Sequence, residues 1–493
     1  MKVLIGYPPI PSEKGVPLLS QNRQFQWFNR PTYIYPMVPA YAATMAKQAG
    51  HNVLWADGIA EGWTPEEFEK RYLEFAPDFF LLEAKTPIIK YYWQVIRRLK
   101  EIHPRGAIAL CGDHVTALPG ESMTHSPVDF VITGGDYDFT LVDLLPALSS
   151  ASADRPLSTV DSLPPGVHFR ENAGVRDTGS FRLERDLNAL PLVDRDLTRW
   201  KLYARENGNF RYTPGTYTMV GRDCWWGRCA FCSWTTLYNR WRTQSPSRLL
   251  DEVAHLVENY AVREIFDDTG CFPAGKWLRD FCQGMIARGY NKHVVMGCNM
   301  IPGVLSQELY DLMAEANFRF VLFGLESADQ ATLDRIRKCG KAGDIENSMQ
   351  MARKAGLQPH VTCMVGYPWE TRQQARATVD LTRRLFDKGY IDTLQATIVI
   401  PYPGTPLFAE CDEKDWLKTK DWDRYDMREP IMKTPMPDEE ILSLTRGIYK
   451  SFLTPRFVFR KLRQIRDWRD ILFYWRAAVR VLGHLLDFRS HGK

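Results

Sequence analysis

Short apolar runs alternate with helical stretches along most of this chain, in two successive blocks, and that alternation restricts the fold to layered or barrel arrangements of parallel strands. In the first block the candidate strands are Lys2 to Tyr7, Asn52 to Ala56, Asp78 to Leu82, Ala107 to Cys111 and Val128 to Thr133. Helical stretches lie between them at Val38 to Ala49, Pro65 to Phe75 and Ile88 to Ile102. A Rossmann-like domain over residues 1–148 is therefore expected. Open sheets of this kind bind ligands outside the carboxyl ends of their strands. Three loops fall there: Tyr7-Pro8-Pro9, the run from Cys111 through Gly112, Asp113 and His114 to Pro119, and Thr133-Gly134-Gly135-Asp136-Tyr137. No Gly-x-Gly-x-x-Gly fingerprint opens a helix, so a nicotinamide or flavin dinucleotide is not indicated.

Residues 149–211 break the alternation. Ser149-Ser150-Ala151-Ser152 opens a stretch rich in proline, and Gly166 to Gly174 reads as a small hairpin within a linker. From Tyr212 the alternation resumes with a longer period, and six strands are expected at Thr216 to Val220, Glu264 to Asp267, Val294 to Met296, Phe320 to Phe323, His360 to Val365 and Thr393 to Ile400. The first helix between them has clear start signals, Ser245 as N-cap and Pro246 at the first helical position. Six strand-helix units predict a partial (β/α)6 barrel of the TIM type over residues 212–409, with an active site at the carboxyl ends of its strands. The fold class is thus α/β, completed by a helical C-terminal extension over 410–493.

The 493-residue length suits two domains plus extensions. Hydrophobic residues at 45% and charged residues at 25% are those of a soluble globular protein, and a net charge of +4 over this length does not indicate nucleic-acid binding. No apolar run reaches the length of a membrane span, and the N-terminus reads as a first strand, so neither a span nor a signal peptide is expected. Ten cysteines without a disulfide pattern point to a reducing, cytoplasmic setting. Residues 455–493 hold ten Lys or Arg against three Asp, interleaved with aromatics. That segment reads either as a helix packed on the barrel or as a peripheral contact with an anionic membrane surface.

The chemistry concentrates after the first barrel strand, where Cys224, Cys229 and Cys232 fall within nine residues. Four thiolates would close a zinc site, and no histidine follows within ten residues of Cys232, leaving Cys271 and His255 as the alternatives for a fourth ligand. Three thiolates hold a [4Fe-4S] cluster with one iron open to a further ligand. The other strand ends carry Asp267-Asp268-Thr269-Gly270-Cys271, Asn299-Met300, Gly324-Leu325-Glu326-Ser327, Gly366-Tyr367-Pro368-Trp369-Glu370-Thr371 and Pro401 to Pro406. Polar and glycine-rich residues at every strand end point to one shared site.

With these loops in view, the chain resembles the radical S-adenosylmethionine (SAM) superfamily, and within it the group with an N-terminal cobalamin-binding domain, over nearly its whole length. In that superfamily three loop cysteines bind a [4Fe-4S] cluster whose unique iron holds SAM, which is cleaved reductively to a 5'-deoxyadenosyl radical. Cys224, Cys229 and Cys232 match those ligands, with Phe231 just before the last. The usual spacing has three residues between the first two cysteines, whereas four intervene here, Trp225 to Arg228. The resemblance implies cofactor contacts for Glu326 and Ser327 in a Gly-x-Glu segment, for Gly366 in a Gly-Phe-Pro-Gly-Glu-Thr-like segment, and for the strand-end pair Asp267 and Asp268. In the first domain it implies a cobalamin site at Gly112, His114, Gly134 and Gly135. The Asp-x-His-x-x-Gly sequence that gives cobalt a histidine elsewhere is absent.

The function implied is an anaerobic radical SAM enzyme that, with cobalamin, methylates an unactivated carbon of a small-molecule or lipid-like substrate. An oxidative cyclase acting on a tetrapyrrole-like substrate is the alternative, and Trp422 to Met427 resembles that group equally. An RNA methylthiotransferase is disfavoured, because only Cys111 precedes the loop. The resemblance also implies a low-potential electron donor such as a flavodoxin or ferredoxin, and no nucleic-acid partner.

Overall fold

The computed structural model describes residues 1–19, 25–29, 31–150, 163–171, 174–208 and 210–450, with isolated positions at 459, 462, 465, 471 and 475. The basic segment 455–493 lies outside the described residues apart from those isolated positions, as does the serine-rich start of the linker from Ala151.

The first sheet contains β1 (Lys2–Tyr7), β2 (Asn52–Asp57), β3 (Phe79–Glu83), β4 (Ala107–Cys111), β5 (Phe130–Ile132), β6 (Val167–Glu171) and β7 (Gly174–Asp177). Their spatial order is β2-β1-β3-β4-β5-β6-β7. The first five strands run parallel, and β6 and β7 add antiparallel at the edge. The hairpin expected inside the linker therefore extends the first domain's sheet. Central strand β3 is buried along its whole length, four apolar residues followed by Glu83, as a strand covered on both faces must be. The helix Pro65–Phe75 begins where the sequence says it should: Thr64 accepts from the amide of Glu67, and Glu67 closes a capping box.

The second sheet is wholly parallel and sequential: β8 (Gly215–Thr218), β11 (Glu264–Asp267), β12 (Val295–Met300), β13 (Phe318–Glu326), β14 (Gln358–Val365) and β15 (Thr393–Ile398). No pairing joins β15 to β8 among the described residues, so this is an open, partial barrel. Ser245 caps the helix Pro246–Tyr260 by accepting from the amide of Arg248. Two boundaries differ from expectation in ways that bear on the site. The third barrel strand runs on through Asn299 and Met300, and the fourth through Glu326. A short antiparallel ribbon, β9 (Gly221–Arg222) with β10 (Arg242–Thr243), ties the two feet of the cysteine loop together. Among the described residues no helix is long and apolar enough to cross a membrane.

The two sheets face each other through their carboxyl-end loops. The carbonyl of Leu237, just after the cysteine loop, accepts from the amide of Gly135 at 3.0 Å, and the hydroxyl of Tyr238 donates to the carbonyl of Gly135 at 3.1 Å. A Cβ at Gly135 would fall 2.0 Å from the Tyr238 ring, so only glycine permits this approach.

Candidate cluster and cofactor site

Asp267, at the end of β11, builds the platform for the cysteine loop. One carboxylate oxygen accepts from the Thr218 hydroxyl at 2.8 Å and the Val220 amide at 3.0 Å, and the other accepts from the Thr269 amide at 3.1 Å. The side chain expected to touch a cofactor is thereby spent on joining two strand ends. The neighbouring Asp268 is buried, and its amide donates to the carbonyl of Thr218 at 2.8 Å.

The loop then turns sharply. Asp223 has φ of +79° and accepts from the Cys224 amide at 2.6 Å, and Gly227 follows at φ of +58°. This turn aims the amides of Trp226 and Gly227 at the Cys224 sulfur. The neighbouring Cys271 thiol and these two amides bring the Cys224 thiol down to about 6. The four-residue interval between the first two cysteines thus has a job: it wraps backbone donors around the first thiolate. Burial pushes Cys229 up to about 12 and Cys232 further. Those two thiols pack against an apolar cluster that includes Phe231, Leu333, Met364 and Tyr367. One ready thiolate beside two desolvated thiols is a donor set that gains most from a soft, positively charged metal centre. Among the described residues no three His, Cys, Asp or Glu side chains converge as a single ion requires. Three thiolates from one loop suit a [4Fe-4S] cluster, which leaves one iron open to a further ligand.

Gly270 lets the Cys271 loop close on Cys224, since a Cβ there would lie 3.3 Å from the Cys224 Cβ and 3.0 Å from Trp234. Opposite it, β13 ends in a register shift between Gly324 and Glu326, with Glu326 at φ of +60°. A left-handed glutamate at a strand end is a strained feature of the kind that collects at functional sites. Its carboxylate accepts from Lys338 Nζ at 2.9 Å, with both side chains largely buried. A side chain at Gly324 would place its Cβ 2.3 Å from Glu326 Oε1 and 2.6 Å from Lys338 Nζ, so glycine makes room for the pair. The basic residues nearest in sequence are engaged elsewhere: Arg319 pairs with Glu264, and Arg335 pairs with Glu410 and lies 3.8 Å over the Trp369 ring.

Ser327 is buried and accepts from the Asp329 amide at 3.1 Å, starting the next helix. Gly366 has φ of +98°, and its amide donates to Glu370 at 2.7 Å. Burial raises the Glu370 carboxyl to about 7. Lys338 and Arg222 are the residues that sequence reasoning did not single out. Lys338 lies twelve positions beyond Glu326, across a helix, where no spacing rule reaches.

At the first sheet's carboxyl ends the expected residues are present in a tightly paired setting. Gly112 has φ of +114°, and its missing Cβ would lie 2.4 Å from the carbonyl oxygen of Ala84. Gly134, at φ of +81°, donates its amide to Thr116 at 3.0 Å. His114 is fully buried, with Nδ1 3.2 Å from the Thr86 hydroxyl and Nε2 2.9 Å from Glu121. Trp422 caps it edge-on and donates its indole N–H to the same glutamate at 2.8 Å. Lys85 pairs with Asp113 at 3.0 Å, and Tyr7 hydrogen-bonds Glu83. The two glycines let the backbone close against the Ala84 carbonyl and the Phe181 ring, and the histidine, engaged at both nitrogens, is not posed as a metal ligand.

Residues 219–382 match the radical SAM superfamily. An uncharacterized methyltransferase from Pyrococcus horikoshii is 28% identical over 87% of this chain and 90% of its own. The anaerobic magnesium-protoporphyrin IX monomethyl ester cyclase of Cereibacter sphaeroides is 25% identical over 93% of this chain and 72% of its own. Among solved structures, the radical SAM methyltransferase TsrM from Kitasatospora setae, with cobalamin and a [4Fe-4S] cluster bound, superposes with a TM-score of 0.64 at 15% identity. That match covers 84% of this chain and 78% of TsrM.

Proposed function

We propose that this chain, whose residues 219–382 match the radical SAM superfamily and whose barrel follows a parallel-sheet domain, transfers a methyl group to an unactivated carbon. The observation that carries the proposal is the cysteine loop itself, with Cys224 prepared as a thiolate and the first sheet's carboxyl ends set against the segment that follows it. Bound there, a [4Fe-4S] cluster supplies the electron that cleaves SAM, and cobalamin supplies the methyl group.

The chain's own residues have defined tasks in this reading. Cys224, Cys229 and Cys232 hold the cluster. Glu326, strained at its strand end and paired with Lys338, presents a carboxylate to the SAM amino group or ribose. Phe231, Met364 and Tyr367 keep water from the sulfurs. The carboxyl-end loops of the first sheet, around Gly112 and Gly134, are the place for cobalamin, which binds without a protein histidine because His114 is engaged at both nitrogens. A small-molecule or lipid-like substrate and a low-potential flavodoxin- or ferredoxin-type donor complete the reading.

The second reading is oxidative cyclisation, favoured by the cyclase relative that spans nearly the whole chain. Anaerobic purification with iron, sulfide and cobalamin quantified on one sample tests the cofactors. Product mass separates the reactions: a gain of one methyl supports transfer, whereas 5'-deoxyadenosine formed without that gain overturns it. Replacing any of the three cysteines by Ala is expected to remove the cluster's absorbance and SAM cleavage together.

A further inference from the structure

We infer that Lys338 is a positioning residue that offsets the negative charge of the cluster on the cysteine loop, and so sets its reduction potential. The inference rests on the iron-sulfur reading of Cys224, Cys229 and Cys232.

The segment before Lys338 is docked on that loop. The amide of Ala230 donates to the Ile336 carbonyl at 2.8 Å, and the indole N–H of Trp226 donates to the Arg337 carbonyl at 2.7 Å. These bonds come from residues on either side of Cys229. Arg337 then turns through φ of +54° and sends Lys338 inward. A lysine only 12% exposed is costly unless something inside needs its charge. Glu326 accounts for part of that need at 2.9 Å. The two backbone bonds on either side of Cys229 hold the segment that carries the ammonium against the cysteine loop.

Three thiolates outweigh the positive charge of a [4Fe-4S] core, and each added electron deepens the imbalance. Net charge, hydrogen bonds and burial set such potentials, so a buried cation next to the cysteine loop makes reduction easier. Glu326, with the opposite sign at the same place, must act in the opposite direction.

The test is a redox titration followed by EPR on the full chain, reconstituted anaerobically and without SAM. Wild type is compared with Lys338→Gln, Lys338→Arg and Glu326→Gln, and iron per chain is measured on each. The midpoint is expected to move negative in Lys338→Gln, to stay near wild type in Lys338→Arg and to move positive in Glu326→Gln. Opposite shifts from two partners of one ion pair are what a charge effect produces and a merely structural role does not. If Lys338→Gln fails to hold iron, the arginine and glutamine variants still decide the matter. A midpoint unmoved in Glu326→Gln, or one in Lys338→Arg as negative as that of Lys338→Gln, overturns the assignment. So does an unmoved midpoint with weakened SAM binding in Lys338→Gln, which would place the ammonium on the SAM carboxylate. Wild type that takes up no cluster refutes the loop reading itself.

Discussion

Arg222 and Asp138 join the cysteine loop to the other domain: Nη1 of Arg222 lies 2.7 Å from Oδ1 of Asp138, Nη2 contacts the second oxygen, and neither side chain is more than 1% exposed. Arg222 stands two residues before Cys224, and Asp138 opens the helix that follows the Gly134-Gly135 turn. Asp136 bridges the same guanidinium and that of Arg242, at the foot of the loop's other strand. Arg222→Met would leave Asp136 paired with Arg242 and strip the buried Asp138 of its guanidinium. Breaking a buried pair from one side costs about 3–5 kcal/mol. A matching fall in the denaturation midpoint is expected, together with faster proteolysis between the domains.

Cys271 donates to the carbonyl of Phe272 at 3.7 Å and sits on a different loop that closes on Cys224, a place that suits support of the cysteine loop. Iron analysis separates the roles. Cys271→Ala should keep about four irons per chain, the complement of a [4Fe-4S] cluster, whereas Cys224→Ala should lose the cluster. Loss of iron in both variants would instead make Cys271 a fourth ligand.

The parts of this architecture that were legible in the sequence are those written in local periodicity. Strands Lys2–Tyr7, Ala107–Cys111 and Glu264–Asp267 and the helix Pro65–Phe75 fall where apolar spacing and capping residues place them. The cysteine loop was legible because its ligands lie within nine residues. What escaped was non-local. The Gly166–Gly174 hairpin gives no sign of which sheet it will join, because edge pairing is set by the partner's register. The acidic pair Asp267 and Asp268 looks like a ligand from sequence, yet Asp267 holds two strand ends together. The Glu326–Lys338 and Arg222–Asp138 pairs join residues that only the folded chain brings within reach.

His114 is engaged by Thr86 and Glu121, so cobalt held in the first domain should have no protein histidine as axial ligand. The check is the EPR spectrum of the cob(II)alamin-loaded enzyme prepared with nitrogen-15-labelled histidine. Identical nitrogen splitting in labelled and unlabelled protein is expected. A splitting that changes from triplets to doublets on labelling would place a histidine on cobalt and exclude the arrangement proposed.

Glu83, at the carboxyl end of the first sheet's central strand, should make stability depend on pH in the direction opposite to an ordinary salt-bridged carboxylate. Burial raises its carboxyl from 4.5 to about 7, against the opposing pull of Lys85 and the hydrogen bond from Tyr7. Between those values the native protein keeps a proton that the unfolded chain has released, so stability falls as pH rises. The contribution is fully present below 4.5 and is lost as pH climbs through about 7. For a shift of this size the span is at most about 3 kcal/mol. Glu83→Gln keeps the neutral shape at every pH. Urea denaturation at acid and alkaline ends of that window should therefore show the variant gaining on wild type as pH rises. Parallel stability curves for the two proteins would mean that Glu83 is already ionised in the fold.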